Sequence, residues 1–143
     1  MSRLEEIIET FQAMDDDFRL ELLLDYAEKL PPLPEKYQSA EQMETHKVHE
    51  CQTPVSLWVE VENGKVQIHA DVPRESPTVR GFVSVLISAF NGATPQEVID
   101  APTDILNRSG LARTIGMMRT QGLSAILRRV KEEVRLAGSM ERG

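Results

Sequence analysis

Residues 55–71 have the sequence VSLWVEVENGKVQIHAD, and this stretch decides the fold. Apolar and polar side chains alternate on both sides of Asn63-Gly64, which is a preferred dipeptide of two-residue type I′ hairpin turns. Pairing Glu62 with Lys65 brings the apolar residues of the two predicted strands opposite one another, as Val61–Val66, Val59–Ile68 and Leu57–Ala70. One face of the hairpin is then wholly apolar, as a sheet that packs on a core requires.

Helical patterns flank this hairpin on both sides. Apolar residues recur at helical spacing in residues 4–11, 18–30, 79–90 and 123–134. The second pattern predicts an inward face made of Phe18, Leu22, Leu23, Tyr26, Ala27 and Leu30. Residues 47–50 are short and are expected to add a third strand. The order of helices, strands and helices indicates an α+β fold, with helices on one face of a small antiparallel sheet of about three strands. We expect one domain over residues 1–143, with its core at about residues 3–137.

Charge is distributed unevenly along the chain. The net charge is −7, and residues 1–47 carry all of it, with 12 acidic and 5 basic side chains. An acidic chain with few aromatic residues lacks the electrostatic footprint of a nucleic-acid-binding protein. Apolar runs are too short to span a bilayer. The N-terminus turns acidic at once, unlike a signal or transit peptide, so a cytoplasmic location is expected.

The last helical segment is locally basic. It contains Arg119, Arg128, Arg129, Lys131 and Arg135. Such a cluster is typical of a solvated helix face. The alternative is a docking surface for an acidic patch on another protein, and the pattern alone leaves both interpretations open.

Cys51 is the only cysteine of the chain. One thiol excludes an internal disulfide and an iron–sulfur cluster that this chain holds alone. Polar neighbours and Pro54 predict that Cys51 lies in a loop before the first strand. The thiolate is the reactive form of cysteine, and His46, Lys47 and His49 would favour it whereas Glu50 would oppose it.

Two other chemistries fit the same residues less well. His46, His49 and Cys51 are possible metal ligands, but residue 46 would point away from the other two and a fourth ligand is missing. His69 is a possible base for a Cys–His hydrolase, but no group supplies an orienting partner or an oxyanion site. Opposite Trp58, His69 is more simply half of a cross-strand pair.

From Val48 onward the chain resembles the SufE family of sulfur acceptors. The family has a Val-x-Gly-Cys-Gln-Ser segment before a hairpin, and residues 48–53 read VHECQT. Its Gly-Asp-Ser and Val-Lys/Arg-Gly-Leu segments correspond to residues 70–71 and 79–82, and its late Arg-x-x-Gly-Leu corresponds to residues 119–123. Glu50, Thr53 and Met117 depart from the pattern, where the family has glycine, serine and proline.

The resemblance implies a SufE/IscU-like fold and a relay of sulfur. A pyridoxal-phosphate cysteine desulfurase (SufS-like) would pass sulfur to Cys51, which would carry it as a persulfide to an iron–sulfur scaffold (SufBCD-like). The cofactor would belong to the desulfurase and not to this chain. The resemblance also implies a sheltered Cys51 on a mobile loop, residues 49–54. It places His49, Gln52, Asp71, Arg80 and Arg119 around that loop.

Such a protein would be a persulfide-carrying accessory rather than a free-standing enzyme. Three alternatives remain open: a module that stimulates a desulfurase without carrying sulfur, an independent thiol enzyme, and an acceptor for a parallel desulfurase system. Replacing Cys51 separates the first alternative from a relay, because only a relay requires the thiol.

Overall fold

The computed structural model describes residues 2–142. Its helices are α1 (Arg3–Gln12), α2 (Asp16–Glu28), α3 (Ala40–Thr45), α4 (Pro77–Phe90), α5 (Pro95–Asp100), α6 (Ile105–Arg108), α7 (Leu111–Ile115) and α8 (Met117–Arg142). A 3₁₀ turn spans Glu35–Tyr37, and the strands are β1 (Ser56–Glu62) and β2 (Lys65–Asp71). None of the described helices is both long and apolar enough to cross a membrane.

The hairpin forms in the predicted register. Glu62 pairs with Lys65, and the antiparallel ladder runs from there to Ser56 opposite Asp71. Asn63 and Gly64 both have positive φ, 54° and 74°, as a type I′ turn requires. The α+β class is therefore confirmed, with helices packed on a small antiparallel sheet.

The predicted third strand is wrong. In the part of the chain described here, the sheet has two strands, and Lys47 makes only an isolated bridge with Ser56. The chain turns immediately afterwards, because the Cys51 amide donates to the Val48 carbonyl at 3.2 Å. Pro54 then returns the chain to β1 without an amide hydrogen to offer to a ladder.

The far edge of β2 is covered by a turn after α4. The Val66 amide donates to the Ala93 carbonyl at 2.8 Å, and the Gly92 amide donates back to Val66 at 2.9 Å. Asn91 Oδ1 accepts from the Ile68 amide at 2.9 Å. These bonds satisfy backbone groups that a two-stranded sheet would otherwise leave unpaired.

The outer face of the sheet is also covered at one end. Trp58 lies on that face opposite His69, as predicted, yet it is only 3% exposed. Tyr37 stacks on its ring with centroids 5.0 Å apart, and the Trp58 indole donates to Gln42 Oε1 at 3.0 Å. The connection between α2 and β1 therefore shields an aromatic residue that the core-facing helices do not reach.

Helix α4 runs through the centre of the molecule, with nearly every side chain buried. It lies so close to α2 that a Cβ on Gly81 would stand 2.4 Å from the Leu23 carbonyl oxygen. Helix α8 packs against β1 through its predicted inner residues Leu123, Ile126, Leu127, Val130 and Val134, all of which are buried.

The inward face predicted for α2 is wrong at its first turn. Phe18 is 61% exposed, whereas Arg19 is buried. Arg19 donates to the Phe11 carbonyl at 2.9 Å and also to the Met14 carbonyl, and its guanidinium lies against Gly110. The backbone acceptors at the end of α1 therefore draw the arginine inward and leave Phe18 at the surface.

Candidate functional site

Cys51 lies in a loop with a rigid base. The Val48 amide donates to the Val55 carbonyl at 2.8 Å, and the Val55 amide donates to Thr53. Val48 and Val55 are fully buried, so the two ends of the loop are fixed in the core. Arg129 of α8 strengthens this base by donating to the Lys47 carbonyl at 3.2 Å.

Cys51 is buried, with 7% of the residue exposed, and its Sγ faces α8 at Gly122. This confirms the predicted shelter of the side chain. Beside it is a pocket of about 170 Å³, formed between the loop and the helices α4 and α8. The pocket is lined by Glu50, Cys51, Gln52, Thr53, Val79, Met118, Arg119, Gln121, Gly122 and Leu123.

Gly122 makes room for the sulfur atom. A Cβ at position 122 would stand 3.4 Å from Cys51 Sγ and 4.0 Å from its Cα. The loop therefore packs its thiol directly onto the backbone of α8. A longer side chain at this position would compete with the sulfur for the same space.

Besides Cys51, two of the predicted site residues line this pocket. Gln52 lies next to Cys51 in the loop, and Arg119 reaches the pocket from the first turn of α8. The Arg119 guanidinium donates to Thr78 Oγ1 at 3.1 Å, which ties the start of α8 to the start of α4. His49 is exposed on the loop, outside the residues that line the pocket.

Asp71 and Arg80 lie in a different place from the one expected. Both line a groove of about 1010 Å³ between the end of α2, the prolines after it and the end of β2. Arg80 donates to the Val72 carbonyl at 2.6 Å. Of the three charged groups expected around the loop, only Arg119 reaches the cysteine pocket in this structure.

The surrounding histidines have other contacts. His46 packs against Trp58 with ring centroids 5.2 Å apart, and its Nδ1 lies 3.0 Å from the Gln42 carbonyl oxygen. His69 Nε2 lies 2.9 Å from Glu60 Oε1. Within residues 2–142 no group of three or more His, Cys, Asp or Glu residues is placed to hold a metal ion.

Met118 is one of the pocket residues that the sequence analysis did not predict as part of the site. It precedes the repeat of apolar residues that packs α8 on the core, so it carries no signal of a core position. Two adjacent methionines outside the repeat, at the start of an amphipathic helix, are the only hint that the sequence offers.

Comparison with known proteins agrees with this architecture. The family model described as "SufE: Fe-S metabolism associated domain" matches residues 5–134. The chain belongs to the SufE family. An uncharacterised SufE-like protein of Mycobacterium tuberculosis is 35% identical over 135 residues, which cover 94% of this chain and 92% of the relative.

Two further proteins are similar to this chain, one in sequence and one in structure. The sulfur acceptor protein CsdE of Escherichia coli is 30% identical over 114 residues, which cover 78% of this chain and 72% of CsdE. The solution structure of a hypothetical protein from Thermus thermophilus superposes with a TM-score of 0.84 at 34% identity, and the match covers 97% of this chain and 99% of the other. The SufE fold thus extends over nearly the whole chain.

Proposed function

We propose that this protein is a sulfur acceptor that carries sulfur as a persulfide on Cys51. The observation that carries this proposal is the only thiol of the chain, held on a loop and turned into a pocket next to Gly122. Membership in the SufE family and similarity to a sulfur acceptor protein support the same role.

The transfer is an exchange between two sulfur atoms. The Cys51 thiolate attacks the outer sulfur of a persulfide on a pyridoxal-phosphate cysteine desulfurase. A bond forms between Cys51 Sγ and that outer sulfur, while the donor's own S–S bond breaks and its cysteine leaves as a thiolate. The step needs no external oxidant or reductant, because one persulfide replaces another.

The pocket supplies protection during transport. A persulfide exposed to small cytoplasmic thiols would be reduced before delivery, since thiol exchange requires access to the sulfur. With about 170 Å³ beside the thiol, the pocket has space for one additional sulfur atom. We propose that residues 49–54 swing outward at the donor and return afterwards.

Few contacts oppose this motion. The backbone hydrogen bonds described for residues 49–54 stay within the loop and its base, from Cys51 to Val48 and from Val55 to Thr53. Release of the loop therefore exposes one small side chain rather than breaking a ladder. The sulfur would then pass to an iron–sulfur scaffold of the SufBCD kind, in the cytoplasm, where a single free thiol stays reduced.

The test measures sulfide release by a cognate cysteine desulfurase with and without this protein. The wild-type chain is expected to stimulate turnover, and Cys51→Ala is expected to abolish the stimulation. The hydrogen bond from the Val48 amide to the Val55 carbonyl does not involve the thiol, so the base of the loop should persist in this variant, and a matched melting temperature controls for folding. Full stimulation by Cys51→Ala would instead identify a modulator that carries no sulfur.

A further inference from the structure

Met117 and Met118 stand out at the surface. The two residues are 84% and 96% exposed, more than any other large apolar residue in the described part of the chain. They form the start of α8, before the buried repeat that begins at Leu123. Packing within the chain therefore does not explain why two apolar residues lie here.

The two methionines lie on the first turn of α8, directly after a glycine. Gly116 ends α7 and separates it from α8, with a φ of 87°. Its carbonyl accepts a hydrogen bond from the Arg119 amide at 3.3 Å. Thr120 Oγ1 donates to the Met117 carbonyl at 2.7 Å. A helical turn that carries two exposed thioether side chains suits an interface, because Met adapts its shape to the facing surface.

This surface is continuous with the cysteine pocket. Met118 lines the pocket itself, so a protein that meets Cys51 when the loop swings out of this pocket lies close to Met118. A second depression of about 440 Å³ adjoins the pocket, shares Glu50 and Gln121 with it, and extends to Arg128. A protein that delivers sulfur to Cys51 therefore contacts this part of α8.

Charge also distinguishes the surface. Arg119 and Arg128 are exposed along it, and Glu50 is the one acidic residue among the described residues that line the two depressions. The chain as a whole, in contrast, has a net charge of −7. An acidic rim on the other protein would be attracted here and repelled by the acidic N-terminal half. The local charge thus favours one orientation of approach.

We infer that Met117 and Met118 are the apolar anchor to which the sulfur-donating cysteine desulfurase docks, and that the desulfurase receives them in an apolar recess with an acidic rim. This inference rests on the proposed function for the identity of the donor. Exposed apolar side chains beside a reactive centre act as hot spots when a partner buries them, while the charged residues around them set the direction of approach.

The test is direct binding of the full chain to a cognate cysteine desulfurase, by calorimetric titration at fixed ionic strength. The double variant Met117→Ser/Met118→Ser is expected to bind roughly tenfold more weakly or worse, since hot-spot residues contribute at least this much. Leu136→Ser, on the same helix and 45% exposed, is the matched control and is expected to bind like wild type.

Three results would overturn the inference. The first is an unchanged affinity of the double variant for the desulfurase, and the second is an equal loss of affinity in Leu136→Ser. The third is self-association of the wild type that the double variant loses, because the methionines would then form a contact between copies of this chain. Sedimentation of each protein alone detects the last. Wild type that binds through the methionines but gains no sulfur at Cys51 would refute the proposed function alone and uphold the anchor.

Discussion

Cys51 Sγ lies directly beside the space that a Cβ at position 122 would take. A contact of 3.4 Å is at the short end of the ordinary van der Waals range, so one methyl group there should press on the loop without unfolding the protein. Because Ala favours a helix interior more than Gly, the helix itself should gain stability. The two effects act in opposite directions and can be measured separately.

Gly122→Ala is therefore expected to speed alkylation of Cys51 severalfold, with the melting temperature unchanged or raised. The rate of reaction with iodoacetamide measures the first quantity, and thermal unfolding measures the second. Ser124→Ala, two residues along α8, is the control and should leave alkylation unchanged. Equal rates in Gly122→Ala and wild type would show that the glycine does not hold the sulfur in place.

Glu60 connects the two strands to the segment before them. Burial acts to raise the pKa of Glu60, but hydrogen bonds from Tyr37 and Lys36 and the charge of Lys36 outweigh it and hold the pKa below its ordinary value of 4.5. A lowered pKa means that ionised Glu60 stabilises the fold above the unfolded-state value. This contribution disappears as the pH falls through the lower folded-state pKa.

Glu60→Gln is thus expected to lower the melting temperature at neutral pH by more than it does well below pH 4.5. Melting curves of wild type and variant across this range measure the difference. Glu62→Gln, exposed at the hairpin end, serves as the control. A melting-temperature difference that is the same at every pH would show that the charge of Glu60 has no part in stability.

At the scale of elements, the packing of α2 on α4 depends on Gly81. A Cβ there would meet the Leu23 backbone oxygen at 2.4 Å and the Leu23 side chain at 2.8 Å, and backbone cannot move aside as a side chain can. Overpacking of this kind costs about 1–3 kcal/mol. The two helices would have to separate.

Gly81→Ala should therefore lower the free energy of unfolding by about 2 kcal/mol, as measured by chemical denaturation. Gly122→Ala is the matched control, since it makes the same change within another helix. The new Cβ there would lie 3.4 Å from Cys51 Sγ, which is a contact and not a clash. If both variants were equally stable, the close approach of α2 and α4 would not limit the size of residue 81.

Local patterns were sufficient for some elements and not for others. The hairpin register could be predicted, because alternation and the Asn63-Gly64 turn act on neighbouring residues. The third strand could not, since it depends on whether residues 47–50 extend or turn back at Cys51. The burial of Trp58 could not be predicted either, because Tyr37 and Gln42 contact it from a segment without a periodic pattern.

The candidate site divides in the same way. Cys51, Gln52 and Arg119 could be assigned from their resemblance to family motifs. Arg80 was expected at the loop, but its hydrogen bond to the Val72 carbonyl holds it in another groove. Such a choice between acceptors is made by tertiary packing, which a motif does not record.

At the scale of the whole molecule, one cluster of buried residues runs from Leu4 in α1 to Val134 in α8. Helices from both ends of the chain contribute to it, so we propose that the chain folds as one cooperative unit. Thermal unfolding followed by circular dichroism and by Trp58 fluorescence should then give coincident transitions. Separate transitions would divide the chain into independent units.

The central claim is that Cys51 receives sulfur from another protein. Incubation with a cognate cysteine desulfurase and cysteine, followed by peptide mass spectrometry, tests it most directly. The account predicts one additional sulfur atom on the peptide that contains Cys51, removed by a reductant and missing without the desulfurase. An unmodified Cys51 beside a desulfurase that is turning over would contradict it.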